Sequence, residues 1–355
     1  MDSASLTFLE KLLDTPGPSG FETGAARVWR TEAEGFAKEV STDVKGNSQA
    51  AVNPEGSPRV MFAGHIDEIG LMIVHVDDHG FLFFSVIGGW DSQVLVGQRV
   101  IIASSNGPVP GVIGKKAIHL IKKEDRDKVS KVSDLWIDIG AKSKAEALDR
   151  VRVGDPAVLN ATMEKFPSGR IASRSIDNRI GAFVVLEALR ILAKEPPDAA
   201  VFAVATAQEE ISWTGGGART SATSLDPSVA LVVDVTHATD HPDVEKKEHG
   251  DFKLGGGPVL SRGSAVNERV FDLLVQTAED EKIPYAIAAA PGYTGTDADS
   301  IHTAHRGIAT GLVSVPNRYM HSPNEMVDLD DLDNASRLLA GFAGRVTPGM
   351  SFIPE

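Results

Sequence analysis

Two histidines and five carboxylates stand at a similar kind of place in this chain. His65 and Asp67 follow the apolar run RVMFAG. Glu209 and Glu210 follow VFAVATAQ. Asp234 ends VALVVD, and His321 follows ATGLVSVP within RYMHSP. Asp177 lies in IASRSIDNRIG, just ahead of a helical pattern. Imidazole nitrogen and carboxylate oxygen are the ligands that zinc and related divalent ions accept. Two such ions about 3.5–4 Å apart require a shared carboxylate, and each requires one further carboxylate and one histidine. That takes two histidines and three carboxylates, which the set supplies. A further carboxylate then has to stay off the ions to move protons. The adjacent Glu209 and Glu210 fit this division. Two anions side by side at the end of a buried strand repel each other and resist desolvation. A cation on one offsets that cost and leaves the other as a base. A lone histidine or aspartate at a strand end is commonly a cap or a loop residue; five such ends together are not accounted for that way.

The elements that must position these residues are legible in outline. Buried parallel strands read as unbroken apolar runs, as in AVFAVATAQ (200–208), SVALVVDVT (228–236), IPYAIAAA (283–290) and IATGLVSVP (308–316). Between them lie helical patterns at 178–195, 264–282 and 329–346. This alternation predicts an α/β sheet with helices on both faces, and in such sheets sites form beyond the carboxyl ends of the strands. From about 70 to 162 the pattern changes to short strands and glycine-containing turns, with one helix in SKAEALDRV. The expectation is therefore an α/β domain made of residues 1–69 and 163–355, interrupted by a β-rich insertion over 70–162. A short amphipathic helix, 5–13, opens the chain and is stopped by Pro16 and Pro18.

Composition removes several classes of function. The 355 residues carry a formal net charge of -14, which argues against a general nucleic-acid or anionic-membrane binder. With no cysteine, disulfides and thiolate zinc sites are excluded. No apolar stretch is long enough to span a bilayer. The start lacks a basic region followed by an apolar one, so a soluble, cytoplasmic protein is expected and the Asn160-Ala161-Thr162 sequon is taken as chance. Neither G-x-G-x-x-G nor a P-loop occurs, which disfavours nucleotide binding. The charged stretch Lys122 to Lys131 reads as an exposed loop.

Taken in order, the motifs TPGPSGFE, GHIDEIG, SIDNRIGAF, TAQEEI, VVDVTHATD, GTDAD and RYMHSPNEMV closely resemble peptidase family M42, the two-metal aminopeptidases that include glutamyl aminopeptidases and the tetrahedral TET particles. The resemblance covers about 6–346. It implies a mixed-sheet α/β sandwich of phosphorylase/hydrolase-like type with a small inserted β-barrel-like domain. By position, it implies that His65, Asp177 and Asp234 hold one metal. Asp177, Glu210 and His321 would hold the other, with Asp177 bridging. Glu209 would be the general base, acting on a metal-bridging water. Asp67 would accept the other ring N–H of His65 and fix its orientation. Zinc is the expected ion, with cobalt or manganese as alternatives. Peptides are the expected substrates. A homo-oligomer built from dimers through the insertion, up to a dodecamer, is the expected assembly.

Where the family usually carries a run closer to Val-Gly-Leu-Arg-Gly, this chain has ISWTGGGA. Trp213 and Gly215 to Gly217 are therefore expected near the substrate, and specificity is open. The M20 carboxypeptidases and dipeptidases share the ligand order, but their extra domain falls between the later aspartate and the final histidine. Here only about 85 residues separate Asp234 from His321, and the long insertion lies between Asp67 and Asp177, which favours M42. Paired carboxylates also serve glycoside hydrolases of endoglucanase type, which need no histidine ligands. A non-catalytic scaffold would not need the full ligand set. His237, Asp297 and Asp299 stand near these motifs, and each has a structural and a functional reading of equal weight.

Overall fold

The computed structural model describes residues 1–212 and 215–354. Helices α1 (Ser3–Asp14) and α2 (Thr23–Ala33) lead into strands β1 (Glu39–Thr42), β2 (Ser48–Val52) and β3 (Arg59–His65). Strands β4 (Gly70–Val76), β5 (Leu82–Ile87), β6 (Arg99–Ser104), β7 (Gly107–Gly114), β8 (Trp136–Asp138) and β9 (Pro156–Leu159) follow, with short helices α3 (Ser92–Leu95) and α4 (Lys144–Leu148) among them. The chain continues through β10 (Glu164–Lys165), β11 (Arg170–Ser173), α5 (Ile176–Lys194), β12 (Ala200–Thr206), α6 (Gly216–Leu225), β13 (Val229–His237) and α7 (Lys246–His249). It closes with β14 (Val259–Gly263), α8 (Glu268–Asp280), β15 (Ala286–Ala290), α9 (Ala298–Ile301), β16 (Ala309–Asn317), β17 (Glu325–Asp328) and α10 (Leu329–Arg345).

The main sheet has eight strands in the order β1-β2-β12-β3-β13-β16-β14-β15. Its four central members, β12, β3, β13 and β16, are mutually parallel, and β2 and β14 run against them. These central strands are covered on both faces, which is why they read as continuous apolar runs. On one face Val60, Phe62, Val201 and Leu231 meet α5, flanked by α1, α2 and α10. On the other, Met61, Ala63, Val204 and Val232 meet α6 and α9. The architecture is thus the mixed α/β sandwich with helices on both faces that was expected.

Helix α6 and strands β14 and β17 did not stand out in the sequence. In GGARTSATSL the only strong helical signal is a short stripe of small residues, Ala218 and Ala222, packed on the sheet.

Strands β4 to β9 form a closed six-stranded barrel, ordered β4-β5-β8-β7-β6-β9. Its alternating side chains fill an interior of Leu71, Ile73, Val100, Ile102, Ile137 and Leu159. The barrel touches the main sheet's site through the two glycines that follow β5. A Cβ on Gly89 would lie 3.2 Å from Nδ1 of His321, and one on Gly88 would lie 3.3 Å from Oε2 of Glu210.

Two features bring the site-bearing segments close together. Gly64, one residue before the end of β3, abuts the start of α5: a Cβ there would fall against the Gly181 backbone and 2.7 Å from the Ala182 nitrogen. Behind β3, the buried Glu68 binds Arg174 Nη1 at 2.6 Å and Arg179 Nη2 at 2.8 Å, and accepts the Gly17 N–H at 3.0 Å. Arg179 also donates to the carbonyls of Ile66 and Leu12, both at 3.0 Å. This network pins the TPGPSG loop to the end of β3.

Candidate functional site

The parallel strands end at one cleft of about 1290 Å³, whose wall includes His65, Asp177, Glu209, Glu210, Asp234 and His321. His65 is the last residue of β3, Asp234 lies near the end of β13, and the other four follow β11, β12 and β16. Asp177 sits in the first turn of α5, but its φ of -76° and ψ of 108° are not helical, so its carboxylate leaves the helix axis and enters the cleft. Backbone strain gathers here. Ser175, Gln208, Tyr319 and His321 have φ between 58° and 63°, a conformation that side-chain-bearing residues adopt only where their surroundings over-determine it.

Asp177 faces two imidazoles with its two oxygens. Oδ1 is 3.2 Å from Nε2 of His65, and Oδ2 is 3.3 Å from Nε2 of His321. On the first side, Asp234 Oδ1 lies 4.0 Å and Glu209 Oε2 3.7 Å from Nε2 of His65. On the second, Glu210 Oε2 lies 3.5 Å from Nε2 of His321. Two ligands placed tetrahedrally ~2.0–2.2 Å from one ion are ~3.3–3.6 Å apart, so these spacings fit shared cations. Ligand atoms of His65, Asp177 and Glu210 converge within 4.8 Å, as do those of His65, Glu209 and Asp234. Oε1 of Glu210 and Nδ1 of His65 are buried and have no hydrogen-bond partner. An unpaired buried carboxylate oxygen is costly, and a cation would satisfy it.

Charge balance points the same way. Burial pushes Glu209 up to about 10, with Asp234, Asp297 and Glu210 adding to the shift against the pull of His65. Burial also raises Glu210 and raises Asp234 well above the carboxylate range. Hydrogen bonds to Asp177 and Glu210 push His321 up to about 11. Burial opposes charge on His65, but Glu209, Asp177 and Asp67 outweigh it and raise the imidazole. Asp177 is buried too, yet the two histidines hold it below the carboxylate range. With the protein's own charges alone, the cluster holds protons that divalent cations would replace.

Asp67 is fully buried behind His65. Its Oδ1 is 3.4 Å from Nδ1 of His65, a long contact, while its two oxygens accept the N–H groups of Glu209 and Glu210 at 3.1 Å each. It therefore ties the end of β3 to the glutamate loop as well as facing the imidazole. Asp297 is buried, lines the cleft and accepts the Thr206 hydroxyl at 2.5 Å; burial pushes it up to about 6. Asp299 accepts from the Thr294 N–H, the Thr294 hydroxyl and the Gly295 N–H, which is a turn-holding role. His237 lines the cleft wall, where partial desolvation and the nearby His249 lower its pKa. Gly215 also lines the cleft, whereas Trp213 lies outside the described residues.

Glu325 carried no role in the sequence reading. It is fully buried, with Oε2 accepting the Asp177 N–H at 2.9 Å and Oε1 the His321 N–H at 2.8 Å. The one signal available was a carboxylate four residues after a candidate ligand, in HSPNE.

Comparison with known proteins identifies the family. Residues 46–338 match the M42 glutamyl aminopeptidase family. The lysyl aminopeptidase of Pyrococcus furiosus is 33% identical over 350 residues, covering 98% of each chain. The TET aminopeptidase of a marine sediment archaeon of the Thaumarchaeota superposes with a TM-score of 0.92 at 34% identity, covering 97% of each chain. The TET1 peptidase of Pyrococcus horikoshii, which can assemble into a tetrahedron or a large octahedral shell, gives 0.84 at 31% identity, covering 96% of this chain and all of that one. The chain belongs to the M42 family of metal-dependent aminopeptidases, hydrolases that act on peptide bonds.

Proposed function

We propose that this protein removes the N-terminal residue from peptides with the aid of two divalent cations, both of which Asp177 would help to hold. The observation that carries the reading is the carboxylate of Asp177, whose two oxygens address different histidines. In this reading His65 and Asp234 complete one cation site, and Glu210 and His321 complete the other. Zinc suits these N and O ligands, as do cobalt and manganese. Bound there, the cations supply Lewis-acid polarisation of the scissile carbonyl and a lowered pKa for water.

The chain's own residues do the rest. Glu209, in the cleft wall and bound to neither histidine through a short contact, accepts the proton of the attacking water. As the peptide C–N bond breaks, it passes that proton to the leaving amine. Asp67 holds the backbone of both glutamates and faces the imidazole of His65. The carboxylates of the cleft also suit a free α-ammonium group, which restricts cleavage to the chain end.

The reading extends to organisation. Residues 1–69 and 163–355 would form the catalytic unit and 70–162 a dimerisation unit, with dimers building a larger homo-oligomer, up to a dodecamer. The Pyrococcus horikoshii relative supports such assembly. A cytoplasmic location is part of the same proposal; among the described residues no helix is long and apolar enough to cross a membrane.

The test is hydrolysis of an aminoacyl-p-nitroanilide panel by metal-stripped protein, with and without zinc or cobalt. Release restored by metal, and absent with N-acetylated substrates, is the expected result. No release with any metal would overturn the aminopeptidase reading.

A further inference from the structure

We infer that Glu325 is a positioning residue that locks the two cation half-sites together by holding the backbones of Asp177 and His321 with one carboxylate. The inference rests on the two-cation reading above. It starts from a small sheet. Strand β11, just before Asp177, pairs antiparallel with β17, just after His321, in the register Ser173↔Glu325 to Arg170↔Asp328. The ladder therefore brings together two segments about 150 residues apart and leaves both candidate ligands at the same end, Asp177 after Ser173 and His321 before Glu325.

The His321 loop is closed on itself as well. Arg318 and Met326 exchange backbone hydrogen bonds, each 3.0 Å long. Inside that ring Tyr319 and His321 have φ of 63° and 58°, so the loop is held in a conformation it would not choose alone. Glu325, the first residue of β17, stands next to the ring's closing pair. One oxygen folds back on the His321 N–H and the other crosses to the Asp177 N–H.

A neutral side chain could not do both jobs. A glutamine offers one acceptor and turns an N–H donor toward the second backbone N–H. Nor is the carboxylate held as half of an ion pair, since among the described residues no lysine or arginine lies within 4.0 Å of it and Arg174 is engaged by Glu68. Burying an unpaired anion beside Asp177 is costly, and local stability alone would be better served by an apolar side chain. The arrangement makes sense if its purpose is alignment: Asp177 Oδ2 and His321 Nε2 must stay within ligand distance of each other. Ligand-orienting groups of this kind typically change metal affinity by 10–100-fold when removed.

Metal-stripped wild type, Glu325→Gln and Glu325→Asp proteins are titrated with Co²⁺, followed by calorimetry and by the visible cobalt absorption. Wild type is expected to bind two ions tightly. Both variants are expected to keep one tight ion and to bind the second ~10–100-fold more weakly, with kcat recovering as Co²⁺ is raised and KM little changed. Two ions bound with wild-type affinity by both variants would overturn the inference while leaving the two-cation reading intact. Equal weakening of both ions would also overturn it, since that is the mark of general structural damage. Fewer than two ions on the wild type would overturn the two-cation reading and this inference with it. Thermal melts with and without Co²⁺ show whether each variant is folded, and the aspartate variant carries the test if the glutamine variant is not.

Discussion

The barrel and the carboxyl ends of the main sheet use their interiors in opposite ways. Between residues 70 and 162, every described buried side chain is apolar, from Leu71 to Leu159. At the sheet's carboxyl end the buried side chains include His65, Asp67, Glu68, Asp177, Asp234 and Glu325. Apolar burial stabilises by roughly 25 cal/mol per Å² removed from water. Buried carboxylates destabilise unless a partner compensates them. One region therefore holds itself together, while the other depends on surrounding packing and on compensation of its charge. The barrel's interior is therefore expected to be alterable at a cost in stability, and the strand ends at a cost in chemistry.

That division can be broken at several points. The largest effect is expected at the strand ends: Glu209→Gln should lower kcat by about 10²–10⁴-fold, the usual worth of a general base. It should leave the metal content unchanged by elemental analysis. Unchanged kcat would remove Glu209 from the proton path. In the barrel, Ile137→Ala deletes a fully buried side chain and should cost about 2–5 kcal/mol in denaturant unfolding, with kcat per folded molecule and metal content unchanged. Loss of metal in this variant would show that the two regions are not separable.

The subtlest effect is in pH dependence. In metal-stripped protein, Glu209 is pushed up to about 10 and His321 to about 11. Both then hold protons in the folded state that the unfolded chain has already released, from about pH 4.5 for the glutamate and 6.5 for the histidine. The folded form binds more protons, so stability falls as pH rises. The Tm of chelator-treated protein should therefore drop steadily from pH 5 to pH 9, and added zinc should reduce or reverse the slope. A flat Tm would mean that the cluster's charges are compensated within the protein.

How far the sequence could be read follows the same division. His65, Asp234 and the glutamate pair were visible because a polar residue ending a buried apolar run is conspicuous, and the structure gathers them with Asp177 and His321 at one cleft. The central strands were visible for the same reason, since burial on both faces leaves an unbroken apolar run. The barrel's strands could be read as short runs between glycine-containing turns, but its closure was implied only by the family resemblance and not by the residues themselves. Closure depends on β6 pairing with both β7 and β9, and nothing local in PAVL names its partner. Glu325 was missed for a related reason. In HSPNEMV it looks like an ordinary surface glutamate, and it acquires a role only when β17 is laid against β11. The Glu68–Arg174–Arg179 network was likewise hidden, because it joins three separate segments.

The contact between Gly64 and the start of α5 bears on how this protein can change over generations. Neither Gly64 nor Gly181 faces the cleft, and a survey of substrate contacts would pass over both. Yet a single methyl group at position 64 would wedge β3 away from the helix and carry Asp177 off His65, and one at Gly181 would strike Asn178 and the Val233 carbonyl 2.7 Å away. In a randomised library selected for turnover, these two positions would return glycine alone, while the exposed stretch from Lys122 to Lys131 drifted freely. The narrowest passage through sequence space lies behind the reacting groups, where two backbones meet with no room for a side chain.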